Sequence, residues 1–237
     1  KRVVDRHRFG IGLSYDRVRF GSAIEVLRNP EQDPDYGFRW LTSYRFDDYW
    51  HASAEFFYNA DDLPIKGRVV GLRGSYLSFN LGIRTSDLDS YRLSLTHYYF
   101  NDGNRKWSLG LNWDHQLYID HRFWLSNRIS LYASTSNRRE RYYFNPKSDM
   151  SAENRVDLRH TIHRRYDFKF IQRFVLTTGF YKQAFFKSRF FYIFRYEHHW
   201  DLDDRKAFLY GISYSNRIYD GRREHGLVYY LTLNWRF

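Results

Sequence analysis

The chain has 237 residues, 21% of them aromatic (22 Tyr, 21 Phe and 7 Trp), yet its mean hydropathy is only −0.72. No stretch approaches the roughly 18 consecutive apolar residues that a transmembrane helix needs, so a membrane-spanning chain of this sequence would be a closed β-barrel, whose aromatic girdles would use the many rings. The formal net charge is +11, but the basic residues recur along the whole chain instead of forming one patch, which disfavours a nucleic-acid-binding protein.

Taken in chain order, the predicted elements are segments of roughly ten residues, the length of a tilted membrane strand. Apolar and polar residues alternate within each segment, and Asp, Asn, Gly and Pro separate the segments. In the first third this pattern predicts strands over Phe9–Tyr15, Val18–Val26, Tyr36–Phe46 and Trp50–Tyr58. Further strands are predicted around residues 77–83, 91–95, 107–113, 129–133, 156–162, 170–180, 192–196, 208–214 and 227–237. The total is thirteen strands.

The facing of these strands predicts an all-β, transmembrane antiparallel β-barrel. A soluble β-sandwich would have strands of about five or six residues and a polar outer face. Here small and charged residues share one face while bulky aromatic residues crowd the other, as expected for water inside and lipid outside. The predicted location is therefore the bacterial outer membrane.

Connection lengths predict which end of each strand lies in the periplasm. The predicted periplasmic turns are short, at residues 47–48, 118–121, 163–167 and 201–205. The predicted outer loops are longer, at residues 27–35, 59–74 and 135–151. This alternation starts the first strand at the outer surface, and thirteen is odd where single-chain bacterial barrels have even counts. We therefore expect residues 1–237 to be the C-terminal barrel portion of a larger protein.

No catalytic set is evident in the sequence. There is no Gly-x-Ser-x-Gly elbow, and the absence of Cys removes thiolate metal sites. His160 and His163 are an odd number of residues apart, so a strand places them on opposite faces, which does not suit a shared metal. His198, His199 and His225 lie near carboxylates and are candidates for acid–base chemistry. We expect no enzyme activity, no metal and no cofactor, with an outer-membrane hydrolase as a less favoured alternative.

The side chains predicted to face inward are mostly charged. The inward carboxylates are Glu25, Glu55, Asp114, Asp157 and Glu197. The inward arginines are Arg19, Arg39, Arg45, Arg84, Arg92, Arg155, Arg159, Arg195 and Arg217, and the inward tyrosines are Tyr76, Tyr132, Tyr181 and Tyr230. Two interpretations stay open: these groups pass a hydrated polymer along by weak contacts, with the rings stacking on sugars, or they form Arg–carboxylate ladders that stiffen the wall.

Several short motifs carry a family resemblance. They are Tyr44–Trp50, Leu63-Pro64-Ile65, Tyr143–Pro146, His163–Asp167 and Tyr219–His225, of which the last (Tyr-Asp-Gly-Arg-Arg-Glu-His) is the most specific. Together they resemble the barrel domain of the PgaA (HmsH-like) family of poly-β-1,6-N-acetyl-D-glucosamine export porins, over the whole chain. The C-terminal residues resemble the general barrel-assembly signal, carried by Tyr229, Leu231, Leu233, Trp235 and Phe237.

The resemblance implies a pore for partially deacetylated poly-N-acetylglucosamine, exported for biofilm formation. It also implies a sixteen-stranded barrel with three strands and a periplasmic tetratricopeptide superhelix upstream. The implied partners are the polymer, a periplasmic deacetylase and an inner-membrane synthase, with outer-membrane lipid and lipopolysaccharide around the barrel and no nucleic acid.

One feature departs from the family expectation. A partly deacetylated polymer is cationic, so acidic residues should guide it, yet the inward set holds more Arg than carboxylate. Either the register differs in places or the carboxylates cluster along one wall. The alternative functions are a general or substrate-specific diffusion porin and, without a positive motif, a surface adhesin that binds through residues 135–151.

Overall fold

The computed structural model describes residues 9–28, 36–60, 71–138, 143–203, 205–219 and 221–235. Within these residues the fold is all-β, and the thirteen strands confirm the predicted number. They are β1 (Phe9–Asp16), β2 (Phe20–Arg28), β3 (Tyr36–Arg45), β4 (Trp50–Tyr58), β5 (Gly74–Arg84), β6 (Asp89–Phe100), β7 (Arg105–Ile119), β8 (Phe123–Ser136), β9 (Ser148–Arg165), β10 (Phe168–Gln183), β11 (Arg189–Asp201), β12 (Lys206–Tyr219) and β13 (Arg222–Trp235). No helix in the described ranges is long and apolar enough to cross a membrane.

The strands form one sheet in which each strand is hydrogen-bonded to its neighbours in sequence. The order runs from β1 to β13 without a crossover, and adjacent strands are antiparallel. Short connections explain this arrangement, because antiparallel neighbours can be joined by tight turns whereas parallel strands need long crossovers. β1 and β13 are the two edge strands of this order.

The chain divides into two compact units. Unit 1 comprises the described residues within Lys1–Thr85, Tyr91–Leu111 and Tyr132–Asp149, and unit 2 those within Ser86–Ser90, Asn112–Leu131 and Met150–Phe237. Each unit has one face that carries large apolar side chains, many of them exposed. In unit 1 these include Ile24, Trp40, Phe79, Leu93 and Leu109, and in unit 2 Val156, Leu176, Phe194, Leu231 and Leu233. The charged residues alternate with them on the opposite face, as period-two strands require.

Unit 1 contains a loop cluster made of residues 71–73, 101–104 and 143–147. Leu72 and Tyr143 are buried and pack with Phe100. The amide of Asn104, which is fully buried, donates to the Tyr143 hydroxyl at 3.0 Å, and that hydroxyl donates to Asp102 Oδ2 at 2.9 Å. Neutral side chains and one carboxylate thus tie three connections together.

The outer loop predicted at 135–151 is shorter than expected. β8 extends to Ser136 and β9 begins at Ser148, because the Ser136 amide donates to the carbonyl of Lys147 at 2.8 Å and continues the ladder. Parts of all three predicted outer loops lie outside the described residues, as do Leu63-Pro64-Ile65, Asp220 and Phe237.

The short turns share one hydrogen-bonding device. A side-chain oxygen at the start of the turn accepts the amides two and three residues further on, which fixes the chain reversal. Asp47 accepts from Tyr49 and Trp50 in unit 1, both at 2.7 Å. Asp120 and Asp203 do the same in unit 2, with N···O distances of 2.6 to 2.9 Å.

Candidate functional site

The polar face of unit 1 carries a small acid-rich cluster built across β2 to β5. The register sets Glu25 opposite Arg39, and Glu55 lies on the same face of the next strand. Arg39 Nε donates to Glu55 Oε1 at 2.6 Å, while its Nη1 lies 3.6 Å from Glu25 Oε2. The Tyr76 hydroxyl donates to the same Glu55 oxygen at 3.1 Å. One guanidinium therefore serves two carboxylates.

Neutral groups fill much of the remaining polar face of unit 1. The hydroxyls of Ser78 and Thr96 are 3.0 Å apart, and the Ser134 hydroxyl donates to Asp149. Tyr132 also lies on this face, with the Lys106 ammonium 5.9 Å from its ring centroid. Unit 1 therefore satisfies most of these polar groups without a chain of ion pairs.

The polar face of unit 2 carries an Arg-rich cluster. In its first pair, the Arg128 guanidinium on β8 donates through Nε to Asp114 Oδ1 on β7 at 2.5 Å. Both side chains are partly exposed. The adjacent hydroxyl of Ser130 donates to Asn112 at 2.7 Å, which places the even-numbered residues of these two strands on one face.

Arg173 on β10 is the centre of this cluster. Its Nε and Nη2 donate to the two carboxylate oxygens of Asp157 on β9, at 2.9 and 2.5 Å, and its Nη1 donates to Glu197 on β11 at 3.1 Å. Arg155 and Arg159, on either side of Asp157 along β9, approach the same carboxylate at 3.3 and 3.8 Å. Asp157 is buried beneath three guanidiniums.

Glu197 is the second buried carboxylate of the Arg-rich cluster. Besides Arg173, it contacts Arg195 Nη1 at 3.6 Å and His199 Nε2 at 3.1 Å. The Tyr230 hydroxyl donates to its Oε1 at 2.7 Å, although β12 lies between β11 and β13. Tyr230 reaches across because Gly211 stands between them: a Cβ at Gly211 would lie 2.7 Å from the Tyr230 hydroxyl.

The arginines predicted to face inward divide between these clusters and other positions. Four of them belong to the clusters: Arg39, Arg155, Arg159 and Arg195. The others lie at or beside strand ends (Arg19, Arg45, Arg84) or elsewhere on the strands (Arg92, Arg217). The predicted inward tyrosine Tyr181 lies on β10, outside the clusters. The carboxylates of the two clusters belong to different units. In each cluster they lie on alternate strands, with an arginine on the strand between them.

The structure adds three cluster members that the sequence analysis missed: Arg128, Arg173 and His199. Alternation along β8 and β10 contains the signal for the two arginines, because Arg128 is out of phase with Leu131 and Arg173 with Phe174. His199 is in phase with Glu197 on β11, so the same alternation places it on the face of the cluster.

The histidines considered for catalysis do not come together. His198 and His199 are adjacent on β11 and so lie on opposite faces; His198 contacts the hydroxyls of Tyr196 and Tyr210, both at 2.6 Å. His225 contacts the Tyr214 hydroxyl at 2.8 Å. His160 stacks on Phe123 and His163 meets Phe168 edge-on. In the described ranges no three His, Cys, Asp or Glu residues are grouped to hold a metal.

The residues of the predicted assembly signal share one face at the sheet edge. Tyr229, Leu231, Leu233 and Trp235 alternate along β13, and all four side chains are largely exposed. Phe237 lies outside the described residues. Recognition by an assembly machine stays a prediction for this segment.

Comparison with solved structures identifies the fold. A structure described as a bacterial polysaccharide outer membrane secretin matches with a TM-score of 0.84 at 18% identity, covering 97% of this chain and 80% of that chain. A NanC porin (12% identity; 97% and 98% coverage) and the β domain of the Bordetella autotransporter BrkA (9%; 97% and 97%) match with TM-scores of 0.41. The search of curated proteins found no match.

The family comparison agrees with the resemblance found in the sequence. The profile of the PgaA membrane β-barrel domain matches residues 4–237, which is nearly the whole chain. The two-faced antiparallel sheet and the secretin fold are consistent with this match. The chain therefore belongs to the family of PgaA membrane β-barrel domains.

Proposed function

We propose that this chain forms the wall of an outer-membrane pore that exports partially deacetylated poly-β-1,6-N-acetyl-D-glucosamine for biofilm formation. Family membership and the secretin-like fold support export of a polysaccharide through the bacterial outer membrane. The observation that carries the proposal is the two-faced sheet: large apolar side chains are exposed on one face while the charged clusters occupy the other. Such an apolar surface is stable against lipid and unfavourable against water.

The polar faces of the two units are proposed to line the aqueous pore. A hydrated polysaccharide offers hydroxyls, amide groups and some ammonium groups, and the clusters offer matching donors and acceptors. Contacts between exposed side chains and such groups are weak and replaceable, which suits a polymer that must move. The pathway residues proposed from the sequence are Glu25, Glu55, Asp114, Asp157, Glu197, Tyr76, Tyr132 and Tyr230.

The buried members of this set act on the pathway only through their neighbours. Asp157 and Glu197 are covered by guanidiniums, so we propose Glu25 and Asp114, which are more exposed, as the carboxylates that meet the polymer. Glu55, Asp157 and Glu197 hold arginines in place, and the Tyr230 hydroxyl donates to Glu197. This division favours conduction through a rigid wall over catalysis.

The proposed parent barrel has sixteen strands, with three strands and a periplasmic tetratricopeptide superhelix preceding this chain. The two edge strands β1 and β13 support the proposal, because a membrane sheet must close so that no backbone edge faces lipid. The proposed partners are an inner-membrane synthase and a periplasmic deacetylase, with outer-membrane lipid and lipopolysaccharide around the barrel.

The test is to delete the gene of the full-length parent protein and restore it, measuring surface and periplasmic poly-N-acetylglucosamine. Export predicts that surface polymer disappears on deletion, accumulates in the periplasm and returns on restoration. Normal surface polymer in the deletion strain would overturn the proposal and favour a diffusion porin. Restoration with the His225→Ala parent separates the hydrolase, which would lose function, from the conduit, which would not.

A further inference from the structure

In the Arg-rich cluster of unit 2 the positive groups are exposed and the central negative groups are buried. The side chains of Asp157 and Glu197 are 7% and 5% exposed. Arg155, Arg159 and Arg195, which contact them, are 33%, 46% and 42% exposed, and Arg128 is 40% exposed. A short carboxylate stays close to the sheet, while a long guanidinium reaches past it to the surface. We call these four exposed side chains the arginine track.

The hydrogen-bonding capacity of the buried carboxylates is already engaged. Both oxygens of Asp157 accept from Arg173, and the oxygens of Glu197 accept from Arg173 and Tyr230. A passing ligand therefore finds little accepting capacity at these two carboxylates. The exposed guanidiniums offer N–H donors in a fixed fork that matches carboxylate and carbonyl oxygens.

The Arg-rich cluster also carries a net positive charge. Five guanidiniums in the cluster, those of the arginine track and of Arg173, face three carboxylates, which leaves two positive charges. An ammonium group near this surface is repelled, while an anionic or strongly accepting oxygen is attracted. The acid-rich cluster of unit 1 has the opposite balance, with two carboxylates for one guanidinium.

One member of the arginine track lies over an aromatic ring. The guanidinium of Arg159 lies 4.3 Å from the ring centroid of Trp124, a distance at which the cation–π attraction acts. This contact keeps the planar fork of Arg159 oriented, and it places a fluorescent ring directly beside the track.

We propose that the arginine track binds the amide carbonyl oxygens of the N-acetyl groups on the exported polymer and disfavours its free amines; an acyl group that ends in a carboxylate serves as a tighter-binding probe of the same site. This inference rests on the proposed function and adds to it. Ammonium groups of the polymer are guided by the exposed carboxylates Glu25 and Asp114, and acetylated stretches make the contacts with the arginine track. The track is thus a specificity device for substituents on the sugar nitrogen.

The test uses the full-length parent protein in lipid nanodiscs and three β-1,6-linked glucosamine hexamers: fully N-acetylated, fully N-succinylated and fully de-N-acetylated. Dissociation constants are measured by calorimetry, and Trp124 fluorescence, identified by subtracting the signal of Trp124→Phe, reports occupancy beside Arg159. We expect the succinylated hexamer to bind tightest, the acetylated one next and the amine weakest. Replacing Arg159 and Arg195 together with Gln should weaken succinylated-hexamer binding about tenfold.

The matched control is Arg217→Gln, which removes an exposed arginine from the polar face of β12, outside the track, and should leave all three affinities unchanged. Tightest binding of the amine hexamer, a succinylated-hexamer affinity that the paired Arg→Gln change does not lower, or no binding by any hexamer would each overturn the inference. None of these results would overturn the export proposal, which the deletion experiment decides separately.

Discussion

The two units pair the side chains of their polar sheet faces in different ways. Unit 1 uses one guanidinium between two carboxylates and leaves the rest of its polar face largely to hydroxyls and amides. Unit 2 uses a connected chain of ion pairs centred on Arg173, with two buried carboxylates. Buried charges are costly when unpaired, whereas exposed pairs contribute little. Losing one member of its ion-pair network should therefore destabilise unit 2 far more than unit 1.

The largest effect is expected from Arg173→Met, which leaves Asp157 and Glu197 without their shared partner. Removing one member of a buried ion pair typically costs about 3–5 kcal/mol. The matched change in unit 1, Arg39→Met, should cost less, about 1 kcal/mol, because Glu25 is exposed and Glu55 is less buried than Asp157 and Glu197 and keeps the Tyr76 hydroxyl. Urea unfolding of the full-length parent in phospholipid vesicles measures both. Equal destabilisation by the two changes would contradict the contrast between the units.

A second prediction concerns the glycine that lets Tyr230 reach Glu197. In Gly211→Ala the new methyl would lie 2.6 Å from the Tyr196 carbonyl oxygen and 2.7 Å from the Tyr230 hydroxyl, so the backbone or the ring must shift. We expect a loss of about 1–3 kcal/mol in the same unfolding assay.

Gly226→Ala is the control for this change, on the neighbouring strand. Its methyl would meet only the Ser215 hydroxyl, at 2.9 Å, and that side chain can rotate away. A loss for Gly226→Ala as large as that for Gly211→Ala would show that any glycine in these strands is equally needed, and that the Tyr230 contact is not the cause.

The sequence predicted the strands and their two faces, and it missed the centre of the unit 2 network. The sequence of β13 alternates in character, so the strand was predicted, whereas β10 has Val175 on the same face as Arg173 and the pattern is broken there. Arg173 is recognisable only once register places it between Asp157 and Glu197. The burial of carboxylates beneath guanidiniums also escapes the sequence, because it follows from side-chain reach across three strands.

A third prediction tests the neutral chemistry of unit 1 in its loop cluster. Tyr143→Phe keeps the ring that packs with Leu72 and Phe100 but removes the hydroxyl between Asn104 and Asp102. Leaving the buried Asn104 amide without this acceptor should cost about 1–3 kcal/mol. Hydrogen exchange of residues 101–104 and 143–147 should accelerate, while exchange in β9 to β13 stays unchanged. Faster exchange throughout the chain would contradict the prediction that the Tyr143 hydroxyl stabilises the loop cluster alone.

The smallest effect is expected at a turn of unit 2 that a carboxylate closes, as Asp47 closes a turn of unit 1. Asp120 lies between β7 and β8, and the amides of Phe123 and Arg122 that donate to its carboxylate hold its pKa below the ordinary value of 3.8. Because the folded pKa is depressed, the turn is stabilised fully above pH 3.8 and loses this contribution as the pH falls through the folded pKa. The Phe123 amide shift, followed by NMR from pH 6 to pH 2, should therefore titrate with a midpoint below 3.8.

Two variants of this turn sharpen the result. In Asp120→Asn the side-chain oxygen still accepts both amides but no longer titrates, so the Phe123 shift should become independent of pH in this range. Tyr118→Phe removes the hydroxyl that donates to Asp120 Oδ2 at 3.0 Å, so the pKa of Asp120 should move toward its ordinary value. A midpoint at or above 3.8 in the unaltered protein would contradict the assignment, since desolvation would then outweigh the donated hydrogen bonds.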